Sequence, residues 1–173
     1  MARPTGSDSI KDGRGVAVAD YNGDGKLDLI INNNNSAPTI YLNAVKNVGR
    51  CIEMKLVGTR SNRDAVGARV RLGVDGKTLS RQVEAGSGYA SEAMLPVHFG
   101  LGRAPSIESV EITWPDGFVQ RFTGAQINPF LDRMVLVEEG NNQLAEFKPA
   151  HAPGQIVAST KSATATHSGR TVQ

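Results

Sequence analysis

The sequence predicts an all-β chain in which a hairpin repeat is followed by a β-sandwich and a disordered C-terminal tail. Three observations predict it. Apolar and polar residues alternate over short runs, as at Ala68, Val70 and Leu72 and again at Val110, Ile112 and Trp114, which is the period of a half-buried strand. Turn dipeptides separate the runs, among them Asn22-Gly23, Asp24-Gly25, Asp75-Gly76 and Asp116-Gly117, each suited to a tight reversal. The chain carries 19 glycines and no sustained helical periodicity, a combination that belongs to β folds with many turns.

Residues 1–13 are polar and read as a lead-in. Residues 14–49 form the hairpin repeat and a linker. Gly15-Val16-Ala17-Val18-Ala19 is a first strand and Leu29-Ile30-Ile31 a second, both apolar and rich in β-branched residues. Thr39-Ile40-Tyr41-Leu42 is a third, reached through the polar turn Asn32–Ser36. Asn34-Asn35-Ser36 within that turn matches a glycosylation sequon, which matters only in a secreted eukaryotic chain.

Residues 50–140 carry the sandwich. The run Cys51-Ile52-Glu53-Met54-Lys55-Leu56-Val57 is its opening strand, with Cys51 as a packed thiol. Cys51 is the only cysteine, so no internal disulfide forms. A strand at Ala68–Leu72 reverses at Val74-Asp75-Gly76-Lys77 and returns over Thr78–Ala85, where Arg81 interrupts the apolar face. The Val110–Trp114 strand turns at Pro115-Asp116-Gly117 and returns over Phe118–Phe122. Met134–Val137 is the last strand before Glu138-Glu139-Gly140. Residues 141–173 are poor in apolar side chains and are predicted to stay disordered, because they bury too little surface to offset chain entropy.

The bend Asp20-Tyr21-Asn22-Gly23-Asp24-Gly25-Lys26-Leu27-Asp28 carries the chemistry. Hard cations such as Ca²⁺ take roughly six to eight oxygen ligands from a flexible loop. Asp20, Asn22 and Asp24 offer side-chain oxygens at positions one, three and five. The Lys26 carbonyl offers position seven, and Asp28 closes position nine. Gly25 takes position six, where the chain turns sharply. This is not an EF-hand, since position twelve is Ile31 and the flanks are strands. A bare turn needs two such residues and this bend has five. Three clustered carboxylates repel one another unless a cation offsets them.

Composition narrows the remaining classes. A net charge of +2 with interspersed signs lacks the basic face of a nucleic-acid binder. No apolar run reaches the about 18 residues that span a bilayer, and the polar N-terminal stretch is not a signal peptide. Gly86-Ser87-Gly88 fails as a nucleophile elbow, because Ala85 and Tyr89 hold the outer glycine positions. There is no zinc helix, phosphate loop or dinucleotide fingerprint. Asn62, Arg63 and Asp64 read as a turn, and His98 as a packed or surface histidine. No catalytic residue is assigned.

The stretch from Gly15 to Asn32, centred on Asp-Tyr-Asn-Gly-Asp-Gly-Lys-Leu-Asp-Leu, resembles an FG-GAP/VCBS repeat. The resemblance implies a Ca²⁺-binding loop between two strands of a β-propeller blade. Asn22 stands where Asp is common in that family, which keeps the oxygen and removes one charge. A second set of blocks resembles the ASPIC/UnbV domain. They are Leu56 to Val70, Gly86-Ser87-Gly88-Tyr89, His98-Phe99-Gly100-Leu101-Gly102 and Ile112-Thr113-Trp114-Pro115-Asp116-Gly117, in the family's order. The arrangement resembles that of the cartilage acidic protein-like family, and the resemblance implies the C-terminal part of a secreted or cell-surface protein. Ser91-Glu92-Ala93-Met94-Leu95-Pro96 departs from the polar segment usual in the family.

The expected function is therefore a calcium-binding extracellular interaction or adhesion module that engages a protein or a glycan. An accessory or catalytic part of a secreted biosynthetic or carbohydrate-active enzyme, and a purely structural spacer, are the other readings. One repeat does not make a propeller of at least about four blades. Its open sheet edges either pair with the following domain or belong to a longer chain with further blades upstream.

Overall fold

The computed structural model describes residues 10–46, 49–86, 88, 91 and 96–148. The first unit is a three-stranded antiparallel sheet of β1 (Gly13–Ala19), β2 (Asp28–Asn33) and β3 (Thr39–Tyr41), in that order. Ala19 is the register partner of Asp28. The bend between them thus starts and ends at one rung of the sheet.

Two four-stranded sheets follow. One contains β4 (Arg50–Val57), β7 (Val97–Gly102), β10 (Met134–Glu138) and β11 (Ala145–Glu146), in the order β11-β10-β4-β7. The other contains β5 (Arg69–Val74), β6 (Lys77–Gln82), β8 (Ser109–Thr113) and β9 (Val119–Thr123), in the order β6-β5-β8-β9. Alternate residues of both sheets point inward. Ile52, Met54 and Leu56 of β4 share one buried cluster with Val70 and Leu72 of β5, Phe99 of β7, Val110 and Ile112 of β8 and Val135 and Val137 of β10. This is the expected sandwich, held by apolar burial between two faces.

The turns are those their residues demand. Asp75 and Gly76 both have positive φ, at 51° and 67°, as a two-residue hairpin turn requires. At the β8–β9 turn the Asp116 carboxylate accepts the Phe118 amide at 2.8 Å. Asn62 holds the 62–66 turn by accepting the Val66 amide and donating to the Val66 carbonyl, at 2.8 and 2.9 Å, so the turn reading of Asn62 is correct. Arg63 contributes its carbonyl to the Gly58 amide.

Several features go beyond the sequence-based expectation, and two of its bounds move. β4 and β10 pair in parallel, with Glu53 opposite Met134 and Val57 opposite Glu138. The return strand β6 ends at Gln82, and it is an edge strand on which Arg81 is exposed. A single helical turn, α1 (Gly124–Ile127), and a 3-10 turn at Asn128–Phe130 link β9 to β10. The tail boundary also moves. β11 pairs with β10, Leu144 packs on the core and Arg133 reaches Glu146 at 2.9 Å. Ala145–Glu146 therefore join the sandwich sheet and residues 141–148 belong to the ordered fold, while 149–173, the rest of the expected tail, lie outside the described residues.

Two buried polar side chains lock the end of the sandwich. Gln120, 3% exposed, accepts the Trp114 indole N–H at 2.9 Å and donates to the Asn141 carbonyl at 2.6 Å. Glu139, 4% exposed, accepts the backbone amides of Thr59, Arg60 and Ser61 on one carboxylate oxygen at 2.8 to 2.9 Å, and the Ser61 hydroxyl on the other. Arg60 crosses the same end, bonding Asp116 at 2.7 Å and lying 4.6 Å from the Phe118 ring centroid. Burial disfavours the Glu139 carboxylate, but the amides of Ser61, Arg60 and Thr59 and the Ser61 hydroxyl outweigh it and hold its pKa at about 2.

A depressed folded-state pKa contributes stability above the ordinary carboxylate range, and that contribution is lost as pH falls toward the folded value. Glu139 thus stabilises the fold at neutral pH and ceases to do so between its usual pKa of 4.5 and about 2. Glu139→Gln places an amide NH₂ or a weaker neutral acceptor against three N–H donors. We expect a loss of about 3 kcal/mol at pH 7 in urea unfolding, shrinking as the pH is lowered through that window.

Candidate functional site: the acidic bend and its seat

The bend between β1 and β2 is wound by its own side chains. Asp20 Oδ1 accepts the amides of Gly23 and Asp24 at 2.7 and 3.0 Å, and Oδ2 accepts that of Gly25 at 2.8 Å. Asn22 Oδ1 accepts the Asp24 amide at 3.1 Å. Asp24 Oδ1 accepts the Lys26 amide at 3.0 Å. Short oxygen-bearing side chains at alternate positions can each cap the backbone two or more residues on. Gly23 and Gly25 supply positive φ, at 74° and 79°, and let the chain wind tightly.

Charge inside the bend is offset from within. The Lys26 ammonium sits 2.8 Å from Asp24 Oδ2, which also accepts the Asn22 amide at 3.1 Å. The hydrogen bond from Lys26, joined by that from Asn22, holds the Asp24 carboxyl below its usual range. Asp28 is 1% exposed, and its carboxylate accepts the Tyr21 amide at 3.0 Å and the Asn43 amide at 2.7 Å. It ties the bend to the segment after β3.

The structure thus interlocks Asp20, Asn22 and Asp24, sets the Lys26 side chain against Asp24, and turns Asp28 toward the sheet. Among the described residues, no three His, Cys, Asp or Glu side chains already converge as a metal group. The donor set is nevertheless all oxygen, which suits a hard cation and not zinc or copper. Asp24 already has a cation beside it, in the form of the Lys26 ammonium. Asp20 Oδ2, Asn22 Oδ1 and Asp24 Oδ1 each accept one backbone N–H and keep a second lone pair, whereas Asp20 Oδ1 and Asp24 Oδ2 each already accept two donors.

The bend does not project freely. The Gly25 carbonyl lies 3.0 Å from His98 Nε2 on β7, and since a carbonyl only accepts, the imidazole donates from Nε2. A Cβ added at Gly25 would stand 2.8 Å from Cys51 Sγ on β4. A cleft of about 260 Å³ opens beside this seat, with Asp20 and Gly23 on one side and Cys51, Glu53 and Asp132 on the other. Burial, then Asp132 and Glu53, push the Cys51 thiol up to about 11, so it stays protonated and packs, as expected of it. Burial also raises Glu53. The sequence gives no signal for this seat, because residues 25 and 98 lie far apart in the chain.

Gly25→Ala puts a methyl group into the Cys51 contact at a left-handed backbone position. We expect a loss of about 1–2 kcal/mol, read by urea unfolding, with His98→Ala losing about 1 kcal/mol.

Comparison with known proteins agrees with this geometry. Residues 58–144, half the chain, match ASPIC and UnbV, and residues 13–43 match the FG-GAP repeat. Cartilage acidic protein 1 of Xenopus tropicalis is 36% identical over 135 residues, 73% of this chain and 21% of that protein. The proteins of the same name from Mus musculus and Homo sapiens are 38% identical over 109 residues, 61% of this chain and 17% and 16% of theirs. The chain spans about a fifth of the length of these relatives or less. No helix among the described residues is long and apolar enough to cross a membrane. With an FG-GAP repeat ahead of its sandwich, the chain belongs to the ASPIC and UnbV family.

Proposed function

We propose that this chain is a calcium-binding interaction module of a longer extracellular protein. One observation carries the reading: oxygen-bearing side chains at alternate positions of a single bend, wound by their own backbone bonds into a compact acidic turn. Asp20, Asn22, Asp24, the Lys26 carbonyl and Asp28 hold the ion in this reading. Ca²⁺ enters by displacing the Lys26 ammonium from Asp24. The ion stiffens the β1–β2 hairpin where it sits on the sandwich.

Exposed apolar side chains support the interaction half of the proposal. Val16 and Leu29 share one face of the β1–β3 sheet, and Ile40 lies on the other, by their register. They are 51%, 37% and 39% exposed, and Leu42 and Val45 just beyond are 55% and 60% exposed. The exposed apolar pair Val16 and Leu29, on one face, offers a surface suited to meeting protein. The relatives' name, cartilage acidic protein, points to a tissue dominated by extracellular matrix, which fits millimolar calcium and an extracellular setting.

Calorimetric titration with Ca²⁺ tests the reading. We expect binding that EGTA reverses, and a rise in melting temperature equivalent to about 2.7 kcal/mol when free calcium is a hundredfold above Kd. Asp24→Ala abolishes the heat. Lys26→Ala keeps the backbone carbonyl but removes the competing ammonium, and binds Ca²⁺ several-fold more tightly. No heat with the unaltered protein, or weaker binding by Lys26→Ala, contradicts the assignment.

A further inference from the structure

We propose that Asn22 is a self-modifying position, at which the bend converts the side-chain amide into a carboxylate through a cyclic imide with Gly23. Asn22-Gly23 is the only Asn-Gly pair in the sequence. Both residues are exposed, and a glycine amide is the least hindered nucleophile a following residue can offer.

The bend places a partner on each reacting atom. Asp20 Oδ1 accepts the Gly23 N–H at 2.7 Å, where a base must take the proton as the nitrogen attacks. The Asp24 amide donates to Asn22 Oδ1 at 3.1 Å, where negative charge develops as Cγ becomes tetrahedral. Asp24 Oδ2 accepts from the departing Asn22 Nδ2 at 3.1 Å and fixes the plane of the amide.

The step balances. The Gly23 N–Asn22 Cγ bond forms and the Cγ–Nδ2 bond breaks. The proton from Gly23 N passes to Asp20 and returns through water to the leaving nitrogen, which departs as ammonia. One water then opens the imide. Cleavage of the new Cγ–N bond gives the aspartyl form, and cleavage at the backbone carbonyl gives the isoaspartyl form with a longer main chain.

The modification stands on this geometry alone, whereas its consequence rests on the calcium reading. The aspartyl form adds a fourth carboxylate to the bend beside Asp20, Asp24 and Asp28, and added ligand charge tightens a calcium site.

Trypsin releases residues 15–26 as one peptide with Asn22 as its sole asparagine. The full chain is incubated in EGTA at neutral pH, folded and, in parallel, unfolded in urea, and that peptide is followed by mass spectrometry. We expect conversion several-fold faster than at any other asparagine of the folded chain, and no slower folded than unfolded. Conversion suppressed by folding, or no faster than elsewhere in the folded chain, overturns the proposal. Calorimetry then compares the original chain with Asn22→Asp, for which several-fold tighter Ca²⁺ binding is expected. Equal or weaker binding by Asn22→Asp overturns the consequence. Absence of heat from both refutes the calcium reading and leaves the peptide result to decide the modification.

Discussion

A buried or bent carboxylate gathering backbone N–H groups organises both halves of this molecule. Asp20 collects three amides and winds the bend. Asp28 collects two and ties the bend to the chain after β3. Glu139 collects three more and closes the sandwich across residues 59 to 61. Asp132 accepts the Cys51 amide at 3.1 Å and fixes the start of β4 against the β10 approach. Each bond to a charged acceptor is stronger than one between neutral groups, and each replaces hydration that an irregular segment loses on packing. Apolar burial drives the two sheets together, but it does not decide where loops go. The carboxylates do.

The same interaction explains the shape of the bend. Asp20 and Asn22 shape the backbone through their own hydrogen bonds to the amides of Gly23, Asp24 and Gly25. The Lys26 ammonium offsets the Asp24 carboxylate from within the bend. Gly25 connects this bend to the sandwich, through His98 on one side and Cys51 on the other. A glycine is required there twice over, for its positive φ and for the approach to sulfur. The repeat and the sandwich consequently meet through a contact with no slack for a side chain.

Much of this was legible from local pattern. The alternation at Val70 and Leu72 and at Val110 and Ile112 reports faces that are buried, and Asp75-Gly76 turns where a two-residue hairpin must. The spacing of Asp20, Asn22 and Asp24 reads as a set of cation ligands, with a bare turn as the alternative, and the hydrogen bonds of these side chains to their own backbone are not announced by it. The rest depends on which distant segments meet, and periodicity is silent on that. Nothing near Val57 announces that β10 lies parallel beside it, and nothing near Glu139 announces its three amides. Glu138-Glu139-Gly140 looks like a polar exit from the last strand, yet Gln120 and Leu144 draw the following residues into the fold. Asp28 also looks like a plain ligand in sequence, whereas burial gives it a second task at the sheet.

The central claim is that the acidic bend is an ion site mechanically joined to the sandwich at Gly25. Following backbone and imidazole resonances by NMR during a calcium titration tests it most directly. The account predicts that shifts in Gly23 to Lys26 are accompanied, at the same calcium concentrations, by shifts at Cys51 and at the His98 Nε2 proton. Calcium-dependent shifts that stop at the bend, or an absence of shifts in the bend itself, would contradict it.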